Sequence, residues 1–443
     1  MSGSSKPPHL SASRPPPFPP HNAPRVWFIT SGTSPLGIAV ARQVLAHGDC
    51  VVAGVLPAEF ECEEGRSAEL REFIESLRSG NDGAAAGATG KSGTTVANMG
   101  RRLRVVGLDS RIMGQCQSAV AEAEEAFGRI DILLGCTTEA VVGAIEELSL
   151  SNRTQTLVRD QFETNFFANV NVIKAVLPSM RARKNGHIVM VTGITAHLGT
   201  PGLGIYSSSQ WAIEGYCDSL AYEIAPFNIK MTIVQPMLET NVLTNRITSV
   251  PQLPQYHPRN NPAPLAREVL SRVLDRLDGG GSGSGLPPSS DQPSHPAAGH
   301  GAQGPDPDPD VDMDRPADTQ QPRCCPSPTA GPSSDPSAAA TASSGTSAST
   351  TPSHAQQYPP PPLMGPDVSS LYPSPPPSFR AAVTAETVYA LTAIGGHDNP
   401  PARHIVGLEG VISVKDKLKN VNEELEDFLS VSSAVDIERE ESS

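Results

Sequence analysis

Trp27-Phe28-Ile29-Thr30-Ser31-Gly32-Thr33-Ser34-Pro35-Leu36-Gly37 is the stretch that decides the fold. Val26–Ile29 is a short, continuous apolar run, the pattern of a strand buried on both faces. Small polar residues follow, and Ile38–Ala46 then repeats apolar residues at helical spacing. Ser34 is placed to cap that helix. Pro35 is placed to open it, because the first helical turn has no use for the missing N–H. Strand, tight turn and helix in this order read as the start of a βαβ unit. The helix N-terminus points at whatever anion the turn accommodates.

Working outward, the alternation continues. Cys50–Leu56, Leu103–Leu108, Ile130–Leu134, Ile188–Val191 and Lys230–Val234 are apolar runs of strand length. Between them lie helical patterns over Ser67–Arg78, Gly114–Phe127, Gln161–Lys184 and Tyr206–Ile224. This order predicts an α/β fold, a doubly wound parallel sheet with right-handed crossovers, in a single Rossmann domain.

Composition sets the domain limits. The 443 residues include 44 prolines and 38 glycines but only 5% aromatics, so much of the chain cannot bury enough apolar surface to offset ordering entropy. We therefore expect a disordered Pro-rich arm over residues 1–24 and a Rossmann domain over 25–275 with a flexible insertion at 79–101. A disordered low-complexity insertion follows over 276–378. Residues 379–430 are expected to form a substrate cover and a C-terminal helix that complete the domain, ahead of an acidic tail at 431–443. Loop-closure entropy grows only logarithmically, so an insertion of this length is tolerable. In the C-terminal helix Val411, Val414, Leu418, Val421, Leu425 and Phe428 form an apolar stripe, expected to be buried against the domain in the first place.

The net charge of −14 shows no basic face for a nucleic-acid backbone, so no nucleic-acid partner is expected. No apolar run reaches the ~20 residues of a transmembrane helix, and the first residues lack the apolar core of a signal peptide. The cysteines at 50, 62, 116, 136, 217, 324 and 325 have no metal-ligand spacing. The expectation is a reduced, cytoplasmic protein without a metal site. His187 and His197 likewise lack ligand spacing and read as surface or loop histidines.

The segment Thr30–Gly37 resembles the Thr-Gly-x-x-x-Gly-x-Gly turn of short-chain dehydrogenases/reductases. Asp109 follows the third strand as the family's adenine-contacting Asp does. Gly128–Leu134 resembles the lead-in to the family's Asn-Asn-Ala-Gly segment. Asn165 falls at the helical Asn of the catalytic tetrad, and Tyr206-Ser207-Ser208-Ser209-Gln210 resembles Tyr-x-x-x-Lys. Within the family the chain is most similar to divergent fungal reductases related to retinol- and hydroxysteroid-type enzymes. The resemblance covers about residues 25–247 and 379–425. It implies Tyr206, Asn165 and Thr192 as catalytic residues. It implies Thr30, Ser31, Gly32, Leu36, Gly37, Asp109, Tyr206 and Gln210 as contacts of an NADP or NAD cofactor. The partner is a small-molecule substrate. Homo-oligomers would form through the Gln161–Lys184 and Tyr206–Ile224 helices.

The departures carry equal weight. Two turn glycines have become Ser31 and Pro35. The Asn-Asn-Ala-Gly segment reads Gly135-Cys136-Thr137-Thr138, and the Pro-Gly segment after the last main strand has Met237 for its Gly. The catalytic Ser is Gly193 and the Lys is Gln210. A Lys ammonium ~4 Å from a phenol is worth about 4 kcal/mol at an effective dielectric near 20, roughly three pKa units at most. Gln210 hydrogen-bonds a ribose hydroxyl but supplies no such field. Thr192 and Thr195 flank Gly193 and are the available replacements for its missing hydroxyl. The second strand ends Val55-Leu56-Pro57 with neither an acid nor an Arg, and Glu59 and Glu61 lie farther along, which gives NADP(H) a small edge. The segment Asn241–Arg267 is expected to join Phe379–Val406 in the substrate cover, and its apolar Val242, Leu243 and Ile247 hint at a lipophilic substrate. Two readings follow: an NAD(P)(H)-dependent carbonyl reductase or alcohol dehydrogenase, and a catalytically silent nucleotide-binding or scaffold protein of the same fold.

Overall fold

The computed structural model describes residues 18–61, 66–79, 96–257, 259–261, 265, 267, 268, 270, 377–427 and 429. The chain divides into two compact units, Met1–Gly281 with Pro362–Ser443, and Ser282–Pro361; every described residue belongs to the first. The expected insertion 276–378, except for Pro377 and Ser378, and the tail 431–443 lie outside the described residues.

The strands are β1 (Val26–Ile29), β2 (Cys50–Val55), β3 (Leu103–Gly107), β4 (Ile132–Gly135), β5 (Glu139–Val142), β6 (Gly186–Val191), β7 (Ile229–Gln235), β8 (Arg246–Ser249) and β9 (Arg403–Ile405). The helices are α1 (Pro35–His47), α2 (Pro57–Glu61), α3 (Arg66–Ser79), α4 (Val96–Arg101), α5 (Met113–Phe127), α6 (Asn152–Phe162), α7 (Ala168–Arg183), α8 (Gly204–Ile224), α9 (Leu238–Leu243), α10 (Pro377–Ile394) and α11 (Leu408–Asp427).

Seven parallel strands form one sheet in the order β3-β2-β1-β4-β6-β7-β9, and β5 pairs with β8 separately. The strand period of two divides β1 between two cores. Trp27 and Ile29 face α1, α3 and α10, whereas Val26 and Phe28 face α5, α7 and α8. Trp27, Phe28 and Ile29 are fully buried, and each large apolar side chain so buried is worth about 1.5–3 kcal/mol. The parallel doubly wound sheet read from the sequence is therefore the fold of the protein.

The caps of α1 are those the sequence implies. Ser34 Oγ accepts the Gly37 N–H at 3.0 Å, Pro35 opens the helix, and Gly48 closes it at φ 117°. The expected Gln161–Lys184 helix begins earlier, at Asn152, because Ser151 and Thr154 form a capping box there. A π turn over Glu163–Phe167 then joins α6 to α7. β5, β8 and α9 lie in segments whose apolar residues are too few to show a period.

Other expectations change. The insertion at 79–101 is largely outside the described residues, but its end forms α4. Residues 18–24 of the expected arm pack on the domain, with the Phe18 ring stacked on His47 at 3.9 Å. His187, expected in a surface or loop position, is buried in β6. Its Nδ1 accepts the Gly396 N–H at 3.0 Å, which leaves Nε2–H to donate to Thr232 Oγ1 at 3.0 Å. That pair of bonds ties the end of α10 to the sheet. Burial lowers the His187 pKa to about 3, so the ring is neutral. On α11, only Val414 of the expected stripe is buried, while Leu418 and Leu425 are 57% and 65% exposed. Phe428 lies outside the described residues. The helix leaves the domain after its first turns, so its own domain does not cover the stripe.

Candidate active site

The strand order reverses between β1 and β4, and in such sheets the crevice for a ligand opens at the carboxyl ends of the strands on either side of that point. Two short segments meet there. Thr30 Oγ1 accepts the Cys136 N–H at 3.0 Å and the Thr137 hydroxyl at 2.8 Å, joining the turn after β1 to the end of β4. Burial pushes the Cys136 thiol up to about 11, so it is a neutral packing group.

The turn is closely folded. Ser34 Oγ donates to Ser31 O at 2.8 Å, and the Gly32 N–H donates to Gly54 O at 2.7 Å. A Cβ on Gly37 would stand 2.1 Å from Ser31 O, so that position admits glycine alone. Ser31 fits because it is half-buried, and Pro35 fits because it is the first helical residue. Pro35 has no N–H, and the Ser34 cap consumes that of Gly37. A pyrophosphate at this helix therefore meets fewer donors than the family pattern offers. Leu36 is buried under the turn.

Two carboxylates, Asp109 and Glu59, have charged or hydroxyl partners near the ends of β3 and β2. The Asp109 carboxylate is held by Arg111 through its backbone N–H, Nε and Nη2, the last at 2.7 Å. Glu59 on α2 accepts the Thr33 hydroxyl at 2.7 Å, which places a carboxylate on the glycine-bearing turn itself. A cavity of about 640 Å³ opens beside Glu59, lined by Thr33, Val55, Phe60 and Arg71 among others. In sequence Glu59 stood too far beyond the end of β2. The short helix α2 folds it back.

The other half of the site is a set of buried polar side chains. Asn165, in the π turn, accepts the Glu139 N–H at 2.8 Å and donates to Glu139 O at 2.9 Å and to Ser209 Oγ at 3.0 Å. Ser209 in turn donates to Tyr206 O at 2.7 Å. Asn165 thus clamps β5 to α8, and π turns recur at functional positions for this kind of re-aiming. Tyr206 is fully buried among Ala140, Val142, Leu203, Val242 and Leu243, and Gln210, one turn along α8, is also buried.

Thr192 and Thr195 now separate. The Thr192 hydroxyl donates to Glu214 Oε1 at 2.6 Å. Glu214, buried on α8, also receives Gln235 Nε2 at 2.7 Å and Arg403 Nη2 at 3.0 Å, and Gln235 Nε2 donates to His197 Nε2 at 2.8 Å. This network was not foreseen; the one sequence signal was an acid one turn beyond Gln210, and its partners come from β7 and β9. Thr195 has a buried hydroxyl with no hydrogen-bond partner among the described residues, as do Thr138 after β4 and Ser207 in the first turn of α8. Gly193 has φ −177°, extended backbone that a serine also adopts.

A sequence profile described as short chain dehydrogenase matches residues 80–249. The oxidoreductase BOA17 of Botryotinia fuckeliana is 32% identical over 212 residues, 48% of this chain and 65% of that protein. The 3-ketodihydrosphingosine reductase of Bacteroides thetaiotaomicron is 39% identical over 140 residues, 31% of this chain and 49% of that protein. Retinol dehydrogenase 8 of Bos taurus is 36% identical over 154 residues, 33% and 46% of the two chains. The chain thus spans between about half and two thirds of the length of these relatives. Among solved structures, a short-chain dehydrogenase from Streptomyces avermitilis shares the fold with a TM-score of 0.53 at 19% identity, covering 94% of this chain and all of that one. Together with the parallel sheet, these likenesses are to short-chain dehydrogenases/reductases, whose profile matches residues 80–249 of the chain. Among the described residues, no helix is long and apolar enough to cross a membrane.

Proposed function

We propose that the chain is an NAD(P)(H)-dependent oxidoreductase that interconverts a carbonyl and an alcohol on a small lipophilic molecule. One observation carries this reading. The buried hydroxyls of Thr138, Thr195 and Ser207, unpartnered among the described residues, follow the carboxyl ends of β4 and β6 and open α8. Those are the ends where ligands of doubly wound sheets bind, and a buried hydroxyl left unpaired costs about 1–3 kcal/mol unless a ligand or water completes it.

The residues present fit a dinucleotide. The Thr30–Gly37 turn would hold the pyrophosphate, and Gln210 would hydrogen-bond a ribose hydroxyl. When bound, the nicotinamide supplies or accepts a hydride at the substrate carbon. Tyr206 donates the proton to the carbonyl oxygen in reduction. Thr195 replaces the serine lost at Gly193 and donates to the same oxygen as charge builds on it. Thr192 orients Glu214 and holds β6 against α8. Glu59 bonds a ribose hydroxyl and repels a 2′-phosphate, which favours NAD(H) and reverses the small edge the strand end alone gave to NADP(H). The apolar side chains of Val242 and Leu243 over Tyr206 select a lipophilic substrate. Exposed Phe167, Trp211 and Tyr222 on the α6–α7 and α8 helices supply apolar surface for a homo-oligomer.

A second reading rests on the depth of Tyr206, which is fully covered by its own chain: a silent nucleotide-binding protein. Consumption of NADH and NADPH with a panel of aromatic and long-chain ketones separates the two. The oxidoreductase reading predicts turnover that Tyr206→Phe abolishes. Turnover with none of the substrates, or turnover indifferent to Tyr206→Phe, refutes it.

A further inference from the structure

We propose that the exposed face of α11 is a self-association surface that pairs antiparallel with α11 of a second copy of this chain. Leu418, Val421 and Leu425 recur at alternating steps of three and four residues, the spacing of a coiled-coil seam. Leu418 and Leu425 are exposed by more than half, and Leu429 extends the same face.

The charge order names the occupant. Along the exposed part of the helix Lys415, Lys417 and Lys419 come first, with Asp416 among them, and Glu423, Glu424, Glu426 and Asp427 follow. The acids of the last turn oppose the helix macrodipole, which favours bases at the C-terminus, whereas Glu409 in the first turn suits it. The Lys419–Glu423 pair at 3.6 Å also runs in the weaker direction, base before acid. Within one helix the acidic C-terminal end is unfavourable. In an antiparallel pair it becomes favourable, because each basic stretch lies against the other copy's acidic stretch. In a parallel pair, like stretches would meet.

The register follows from the same residues. Leu418 of one copy forms a layer with Val421 of the other, and Leu425 of each lies over the foot of the other helix, where the domain already covers Val414. Lys417 and Glu424 flank the seam on one side, so Lys417 faces the second copy's Glu424, and two-fold symmetry repeats the pair. Both residues are exposed in the single chain, and changing them leaves the domain core untouched.

The test measures molar mass by light scattering across a concentration series of the full chain. Lys417→Glu and Glu424→Lys should each weaken self-association by about tenfold or more, since each sets like charges face to face at two places. The double variant should restore it. An equimolar mixture of the two single variants should also associate. In that mixed pair the acid introduced at position 417 of one chain meets the base introduced at position 424 of the other, and the unchanged Glu424 and Lys417 meet at the second place. If the chain also pairs through α7 and α8, the mass halves rather than falling to one chain, and the pattern of loss and rescue is the same. A wild-type mass equal to that of the single variants at every concentration would overturn the proposal, as would a mixture that stays dissociated. Either result would leave the stripe to a partner of another kind.

Discussion

Replacing Thr195 by valine separates a binding group from a structural one. Valine keeps the shape of threonine and removes the hydroxyl. That hydroxyl is buried without a partner among the described residues, so its removal should relieve about 1–3 kcal/mol of desolvation cost in the ligand-free chain. For a domain of this size roughly 2–4 °C accompanies each kcal/mol, so the melting temperature should rise by several degrees. The same change removes the proposed donor to the carbonyl oxygen, and the rate of carbonyl reduction should fall by about 100-fold or more. Thr192→Val is the control. It breaks a 2.6 Å bond to the buried Glu214 carboxylate and should destabilise by about 1.5–3 kcal/mol. Calorimetric unfolding and NADH consumption read the two effects side by side. A Thr195→Val protein that is less stable and equally active would refute the assignment of Thr195.

Three further outcomes are expected. Gly193→Ser with Gln210→Lys should raise reduction of generic ketones about tenfold or more, at some loss of stability because Gln210 is buried, and adding Tyr206→Phe should cancel the gain in NAD(P)H consumption. His187 has a pKa lowered to about 3, so its contribution is present above the unfolded value near 6.5 and is lost as pH falls. Denaturant titrations should show its share of stability falling by about 1.36 kcal/mol per pH unit below 6.5, about 2 kcal/mol by pH 5, and His187→Gln should flatten that slope. Arg267→Ala leaves the buried Glu147 carboxylate without its 2.9 Å partner and should cost about 3–5 kcal/mol, with faster proteolysis at residues 249–270; an unchanged melting curve would show that the pair does not hold that segment.

What the sequence made legible and what it hid have a common physical basis. Local rules were readable: β1 was placed residue for residue, and Ser34, Pro35 and Gly37 imposed the turn by capping, φ and close approach. Asn165 and Tyr206 could be nominated because family spacing along a helix survives divergence, and the structure buries both. The acid on the turn is hidden in the sequence because α2 folds Glu59 back onto Thr33, an effect of chain direction after β2 and not of spacing. The choice between Thr192 and Thr195 depended on Glu214, Gln235 and Arg403, which come from three separate elements. The stripe on α11 was read correctly as a pattern, but a period says that a face needs a partner, not that its own domain provides one.

The most direct measurement is calorimetric titration of the full chain with NADH and with NADPH. Saturable binding of both is expected, tighter for NADH because the Glu59 carboxylate stands on the turn, with the preference reduced by Glu59→Gln. Heats indistinguishable from dilution for both dinucleotides would contradict the proposed dinucleotide-dependent function.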